Sequence, residues 1–162
     1  MKKFNSIVAK LISNVWPLGA FPFAQGTICS IFAALIGYSI NNCFGSDITL
    51  LLAIVSGVLG WFSSKSYIKN LDNKDPGEVV IDEFSGQLIA TSAAGISPLF
   101  NILAFILFRT LDILKPGIIK KAEKLRGATG VMMDDWIAGS VVAILLIILS
   151  IFGLINYNWY MI

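Results

Sequence analysis

The chain has 162 residues, 56% of them hydrophobic and 14% charged, with a mean hydropathy of +0.79. That balance excludes an ordinary soluble domain and defines a membrane protein, short enough to form a single domain over residues 1–162. A net charge of +2 and the lack of any long Lys/Arg run exclude a binder of phosphate backbones, so nucleic acid is not an expected partner.

At the start of the chain Phe4, Ile7, Val8, Leu11, Ile12, Val15 and Trp16 recur at helical spacing, with Ser6, Lys10, Ser13 and Asn14 mostly opposite. The pattern predicts an amphipathic helix lying in the membrane interface. Lys10 interrupts the apolar residues after Lys2 and Lys3, and no A-x-A-like site follows, so no cleaved signal is expected. Pro17, Gly19, Pro22 and Gly26 then form a loop that ends at Thr27, the expected cap of the next helix.

Spanning helices are predicted over residues 28–44 and 48–64, with Asn41, Asn42, Gly45, Ser46 and Asp47 turning between them, and over residues 136–156. Cys29 and Cys43 match no metal spacing and read as small hydrophobes. Trp16, Trp61, Trp136 and Trp159 fall near span ends and read as interface anchors.

Residues 86–108 are long enough to cross once, but the charges argue against it. All twelve Lys and Arg fall in three groups: Lys2, Lys3 and Lys10; Lys65, Lys69 and Lys74; and Arg109, Lys115, Lys120, Lys121, Lys124 and Arg126. A single crossing would put the largest group opposite the other two, against the positive-inside rule. A hairpin turning at Gly95-Ile96-Ser97-Pro98 keeps all of them on the cytoplasmic side and brings Glu83 level with Arg109. Each arm would be roughly 19 Å long against a hydrocarbon layer of roughly 30 Å, so the hairpin is either re-entrant or set low. The expected fold is therefore all-α: a small polytopic bundle of three spanning helices, a helical hairpin and an N-terminal interfacial helix.

This topology gathers DPGEVVIDEFSGQ (75–87), FRTLDILKPG (108–117) and GATGVMMDDWIAG (127–139) at one surface. Arg109, Asp112 and Lys115 follow at intervals of three along one helical face until Pro116 ends the helix. Asp134 and Asp135 precede the last predicted span, where capping alone would account for them, and either acidic pair could be an interface pair held by Lys or Arg. Taken together, oxygen ligands from several helices with no His form a hard donor set suited to Mg²⁺ or Mn²⁺ and poor for zinc. Arg109 can grip phosphate in a fork, Lys115 adds a point charge, and the hydroxyl of Thr27 is a further candidate contact. Lys120, Lys121, Lys124 and Arg126 read as a solvated face that attracts anionic lipid. The lack of His excludes a His-nucleophile phosphatase, and neither Cys is followed by Arg at phosphate-loop spacing. Water attack promoted by an acid and a metal is what these residue types leave open.

In order, PFAQGTICS at 22–30, DPGEVVIDEFSGQ at 75–87, FRTLDILKPGII at 108–119 and GATGVMMDDWIAG at 127–139 resemble the phosphatidylglycerophosphatase A family across almost the whole chain. Gln25 and Gly117 stand where that family often has Pro. The resemblance implies Mg²⁺-dependent hydrolysis of the terminal phosphomonoester of phosphatidylglycerophosphate, a lipid substrate, at the inner face of a bacterial cytoplasmic membrane. Its acidic positions fall on Asp82, Glu83, Asp112, Asp134 and Asp135, its basic ones on Arg109 and Lys115, and its small or polar ones on Gly26, Thr27, Gly86 and Gly130. On that basis Glu83, Asp112, Asp134 and Asp135 are the expected metal ligands, and Thr27, Arg109 and Lys115 the expected phosphate contacts. Asp82 is the expected base, so that Asp82, Glu83 and Asp135 carry catalysis. Two other classes compete: a proton or cation carrier using the acids and Arg109 as a relay, and a phosphatidyltransferase, whose D-x-x-D-G-x-x-A-R pattern is missing.

Overall fold

The computed structural model describes residues 2–69 and 77–152. Lys74, Asp75, Trp159 and the end of the last predicted span lie outside them. Among the described residues there are seven α-helices and no strand: α1 (Lys2–Ser13), α2 (Gln25–Phe44), α3 (Ser46–Ile68), α4 (Ile81–Ser92), α5 (Pro98–Leu114), α6 (Ile118–Glu123) and α7 (Ala128–Ile151). Helices α2, α3 and α7 are long and apolar enough to cross a membrane.

The spans are built inside out relative to a soluble bundle. Their buried positions are mostly small, with Ala33 and Gly37 on α2, Ala53, Gly57 and Gly60 on α3, and Ala138 and Gly139 on α7. Their large apolar side chains, such as Leu35, Leu51, Leu59 and Ile144, point outward. In lipid no hydrophobic force drives helices together, so close backbone approach over small residues supplies the contact. Gly45, at φ +90°, makes the one-residue turn from α2 into α3.

At the centre stands α4, packed against α2, α3, α5 and α7. It is buried nearly all round, which explains how a twelve-residue helix carries Asp82, Ser85, Gln87, Thr91 and Ser92 without exposing them to lipid. Its entry is fixed from two sides: Val80 N–H donates to the Ser13 carbonyl at 3.0 Å, and Cys29 Sγ–H donates to the Val80 carbonyl at 3.2 Å.

The expected hairpin is present as α4 and α5, turning through residues 93–97, with Ser97 capping α5 and Pro98 opening it. Hydrogen bonds at its tip fix how far it reaches along α2. Asn41 Nδ2 donates at 2.9 Å to both the Thr91 and Gly95 carbonyls, and Thr49 Oγ1–H donates at 2.6 Å to Asn41 Oδ1. Asn41 lies fourteen residues beyond Thr27 along α2, about 21 Å of helix, so the tip reaches nearly to the far end of α2. Asn41, expected in a turn, is instead inside α2 and serves as the tip's receptor.

Helix α1 is present and packs on α3 through buried Ala9 and Ser13, leaving Ile7, Leu11 and Trp16 exposed. Glu78 pins it there by accepting hydrogen bonds from Asn14 at 3.2 Å and from the Tyr67 hydroxyl, and by pairing with Lys10 at 3.1 Å.

Three local expectations are corrected. Thr27 is no cap: α2 starts at Gln25 behind Ala24, so Thr27 sits within its first turn. Helix α7 starts at Ala128 rather than near 136, because Gly130 nests against the Glu123 and Leu125 carbonyls and stays helical. Asp134 and Asp135 therefore lie two turns inside the helix, beyond any capping role. Trp136 is not an interface anchor, since its indole N–H donates to Ser85 Oγ at 2.9 Å and its ring packs on Gly57.

Candidate active site

Helices α4 and α7 meet glycine on glycine. A methyl group added to Gly86 would lie 2.7 Å from the Asp135 carbonyl oxygen and 2.9 Å from Phe108, and one on Gly139 would overlap the Gly86 carbonyl. Asp82 is four residues before Gly86 and Asp135 four before Gly139, so each carboxylate sits one turn above the crossing on the same face of its helix. The crossing thereby sets the acids together. Asp82, Glu83 and Asp135 each bring a carboxylate oxygen within 4.8 Å of the other two.

Glu83 leans the other way around α4, toward α2. Its carboxylate lies against Gly26, where a side chain would overlap it, and Arg109 Nη1 approaches the same spot. Glu83 and Arg109 are thus neighbours, as residue counting about the hairpin turn predicts.

Asp82 and Asp135 are 8% and 3% exposed, and Asp82 Oδ1, Glu83 Oε2 and Asp135 Oδ1 are buried with no hydrogen-bond partner among the described residues. Three buried carboxylates with one cation near them, the Arg109 guanidinium beside Glu83 and already engaged by Asp112, are costly in a low-dielectric site. Orphaned oxygens at this spacing, with no nitrogen or sulfur donor among them, fit a hard divalent cation such as Mg²⁺.

The remaining predicted residues form two pairings beside the cluster. Arg109 Nη1 binds the Asp112 carboxylate and donates at 3.4 Å to Ser30 Oγ, while Nη2 donates at 3.3 Å to Thr27 Oγ1. Lys115 leaves the helical row at a left-handed φ of 44° and turns to Asp134 at 2.8 Å and Glu123 at 2.7 Å. Burial opposes its charge, but the hydrogen bonds to Asp134 and Glu123 outweigh that and hold it above the ordinary Lys value. Asp134 Oδ1 also accepts the Asp135 N–H at 3.1 Å. The structure thus engages Asp134 with Lys115 and Asp112 with Arg109, keeps Asp112 beside Asp135 as well, and brings Asp82 into the cluster.

The cluster opens into a cavity of about 1000 Å³ whose wall also includes Asp112, Lys115, Glu123 and Asp134. Arg109 and Thr27 are not part of that wall. Three cations that are, Lys65, Lys69 and Arg126, were not singled out for the site in the sequence. Lys65 and Lys69 are four apart, a helical-face signal, yet nothing local brings the end of α3 and the α6–α7 loop to one cavity.

Buried carboxylates at one end of apolar spans, opening on a cavity with cations in its lining, make this a helical membrane protein with a site suited to phosphate esters. The family model described as phosphatidylglycerophosphatase A matches residues 11–150, and the chain belongs to that family. It is 33% identical over 117 residues to the phosphatidylglycerophosphatase A of Haemophilus influenzae, covering 71% of this chain and 72% of the relative. To the Escherichia coli phosphatidylglycerophosphatase A it is 28% identical over 157 residues, covering 91% and 87%. A Bacteroides thetaiotaomicron protein provisionally named a phosphatidylinositol-3-phosphatase is 32% identical over 145 residues, covering 85% and 90%. No solved structure matches.

Proposed function

We propose that the chain cleaves the terminal phosphomonoester of phosphatidylglycerophosphate with Mg²⁺ held by Asp82, Glu83 and Asp135, at the cytoplasmic face of the membrane. The convergence of these three carboxylates on one cavity carries the reading. Bound there, Mg²⁺ would offset the charge of the phosphate and draw electron density from phosphorus.

The protein's own groups do the rest. A carboxylate has two oxygens, so Asp82 can belong to the cluster and still take a proton from the attacking water. The phosphorus–oxygen bond to the headgroup glycerol breaks, and the proton on Asp82 balances the one that the departing oxygen needs. Lys115, kept charged by Asp134 and Glu123, faces the same cavity and attracts the phosphate oxygens. Arg109, tied to Asp112, Thr27 and Ser30, holds the backing of α5 and α2 behind Glu83 and is a positioning residue. The cytoplasmic orientation rests on the three cation groups and the positive-inside rule.

The test is phosphate release by purified protein in mixed micelles of phosphatidylglycerophosphate, with Mg²⁺, with chelator, and with Asp135→Asn. Phosphatidylinositol 3-phosphate, the lipid class in the name of the Bacteroides relative, is the second substrate to assay. Metal-dependent release that Asp135→Asn abolishes is expected. No release from either lipid by folded protein under any metal would overturn the reading in favour of the ion relay.

A further inference from the structure

The lining of the cavity carries two chemistries: the carboxylates of α4 and α7, and the cations Lys65 and Lys69, one turn apart at the end of α3, and Arg126 from the loop before α7. Lys115 already has two carboxylate partners, whereas among the described residues no carboxylate lies within ion-pair distance of Lys65, Lys69 or Arg126. Lys65 is held in place as well: its ammonium stands 4.8 Å above the Trp61 ring, and the Trp61 indole N–H donates to Thr129 on α7 at 3.1 Å. A volume of about 1000 Å³ is at the upper end of small-molecule sites, usually about 300–1,000 Å³, and more than one phosphate group requires.

We propose that Lys65, Lys69 and Arg126 form a second anion subsite that grips the phosphodiester of the lipid headgroup while the carboxylates serve the monoester. This rests on the phosphatase reading and adds to it the residues that distinguish a headgroup with a phosphomonoester beyond a phosphodiester from one with a monoester alone. A guanidinium fork and two ammonium groups suit a phosphodiester, which offers two charged oxygens and no proton. A lipid with a monoester alone, such as phosphatidic acid, leaves these cations without a phosphate and forfeits their attraction. Diffuse attraction of anionic lipid by the same cations would instead favour every anion alike.

The experiment uses the full chain in mixed micelles and two soluble inhibitors of phosphatidylglycerophosphate hydrolysis. One is glycerophosphoglycerol phosphate, with both phosphates; the other is glycerol 3-phosphate, with one. Wild type is expected to bind the first at least about tenfold more tightly, the scale of one charge-assisted hydrogen bond. In Lys65→Gln/Lys69→Gln/Arg126→Gln that preference should collapse to about twofold, with KM raised more than kcat is lowered. Lys69→Arg in otherwise wild-type protein should keep it. All three side chains are exposed, and an unchanged melting temperature checks folding. Equal weakening of both inhibitors, or an unaltered preference in the triple variant, overturns the subsite alone. No hydrolysis by wild type removes the phosphatase reading and the subsite with it.

Discussion

The carbonyl oxygen of Gly86 occupies the place where a side chain on Gly139 would begin. Because Asp82 and Asp135 stand one turn from this contact, helix spacing and acid spacing are one quantity. Gly139→Ala should push α7 off α4, with a cost of about 1–3 kcal/mol for overpacking. Melting in detergent should fall, and activity should fall further than the loss of folded protein explains. An alanine variant with wild-type turnover would show that the crossing does not set the site.

Neutralising the cluster should separate stability from activity. Asp82→Asn, Glu83→Gln and Asp135→Asn each remove an acid from a buried cluster of three, and the two Asp changes, which take no partner from Arg109 beside Glu83, should raise the melting temperature in chelator. Each should also lower phosphate release by at least about a hundredfold, the scale of losing one charge-stabilising group in a site. Melting curves with chelator and with Mg²⁺ supply the check, since wild type should gain more from the ion than any variant.

Lys115 is the counter-charge for Asp134, whose side chain is only 6% exposed. Lys115→Met should destabilise by about 3 kcal/mol, toward the low end for stripping the partner from a buried charge. Adding Asp134→Asn should recover most of that stability. Two single variants and the double variant, compared by thermal unfolding, give the coupling directly.

Glu78 makes the seating of α1 sensitive to acid. Burial would push its carboxyl up, but hydrogen bonds from Tyr67, Lys10 and Asn14 outweigh that and hold it below the ordinary Glu value. Its contribution is therefore complete above the unfolded pKa of about 4.3 and is lost as pH falls through the lower folded value. Spin labels on α1 and α3 should separate below that pH in wild type. In Glu78→Gln the spacing should no longer depend on pH over this range.

The hairpin tip is open to a topological test. With Cys43, which is exposed, replaced by Ser, a cysteine at position 96 should react from the side opposite to one at position 121. Labelling of both from the same side would contradict a tip bound to Asn41 near the far end of α2.

Much of this architecture was legible before the structure. Spans follow from apolar length, and the hairpin followed from where twelve cations had to go. The adjacency of Glu83 and Arg109 followed from counting outward from Gly95 to Pro98. What escaped the sequence depends on contacts between distant segments. Gly127 and Gly130 read as loop, yet Gly130 is helical because the Glu123 and Leu125 carbonyls fill the space beside it, so α7 begins early and carries Asp134 and Asp135 inside. Arg109 has the chemistry to hold phosphate, and the sequence did not show that Asp112 and the Thr27 and Ser30 hydroxyls on α2 accept hydrogen bonds from its guanidinium. Lys65 and Lys69 read only as one of three cation groups, because nothing in the sequence brings the end of α3 and the α6–α7 loop to one cavity.

The burial of α4 on every side also constrains how the protein is made. With Asp82 and Glu83 in its first turn and only twelve residues, α4 cannot partition into hydrocarbon by itself, since one central Asp alone costs about 2.5–3.5 kcal/mol. During synthesis it must wait at the membrane surface until α5 emerges to carry it in as a hairpin, and until α7 arrives to close the last face around its carboxylates. A nascent chain stopped before α5 should therefore leave α4 reachable by a water-soluble protease, and the active site should come into being only as the final span is inserted.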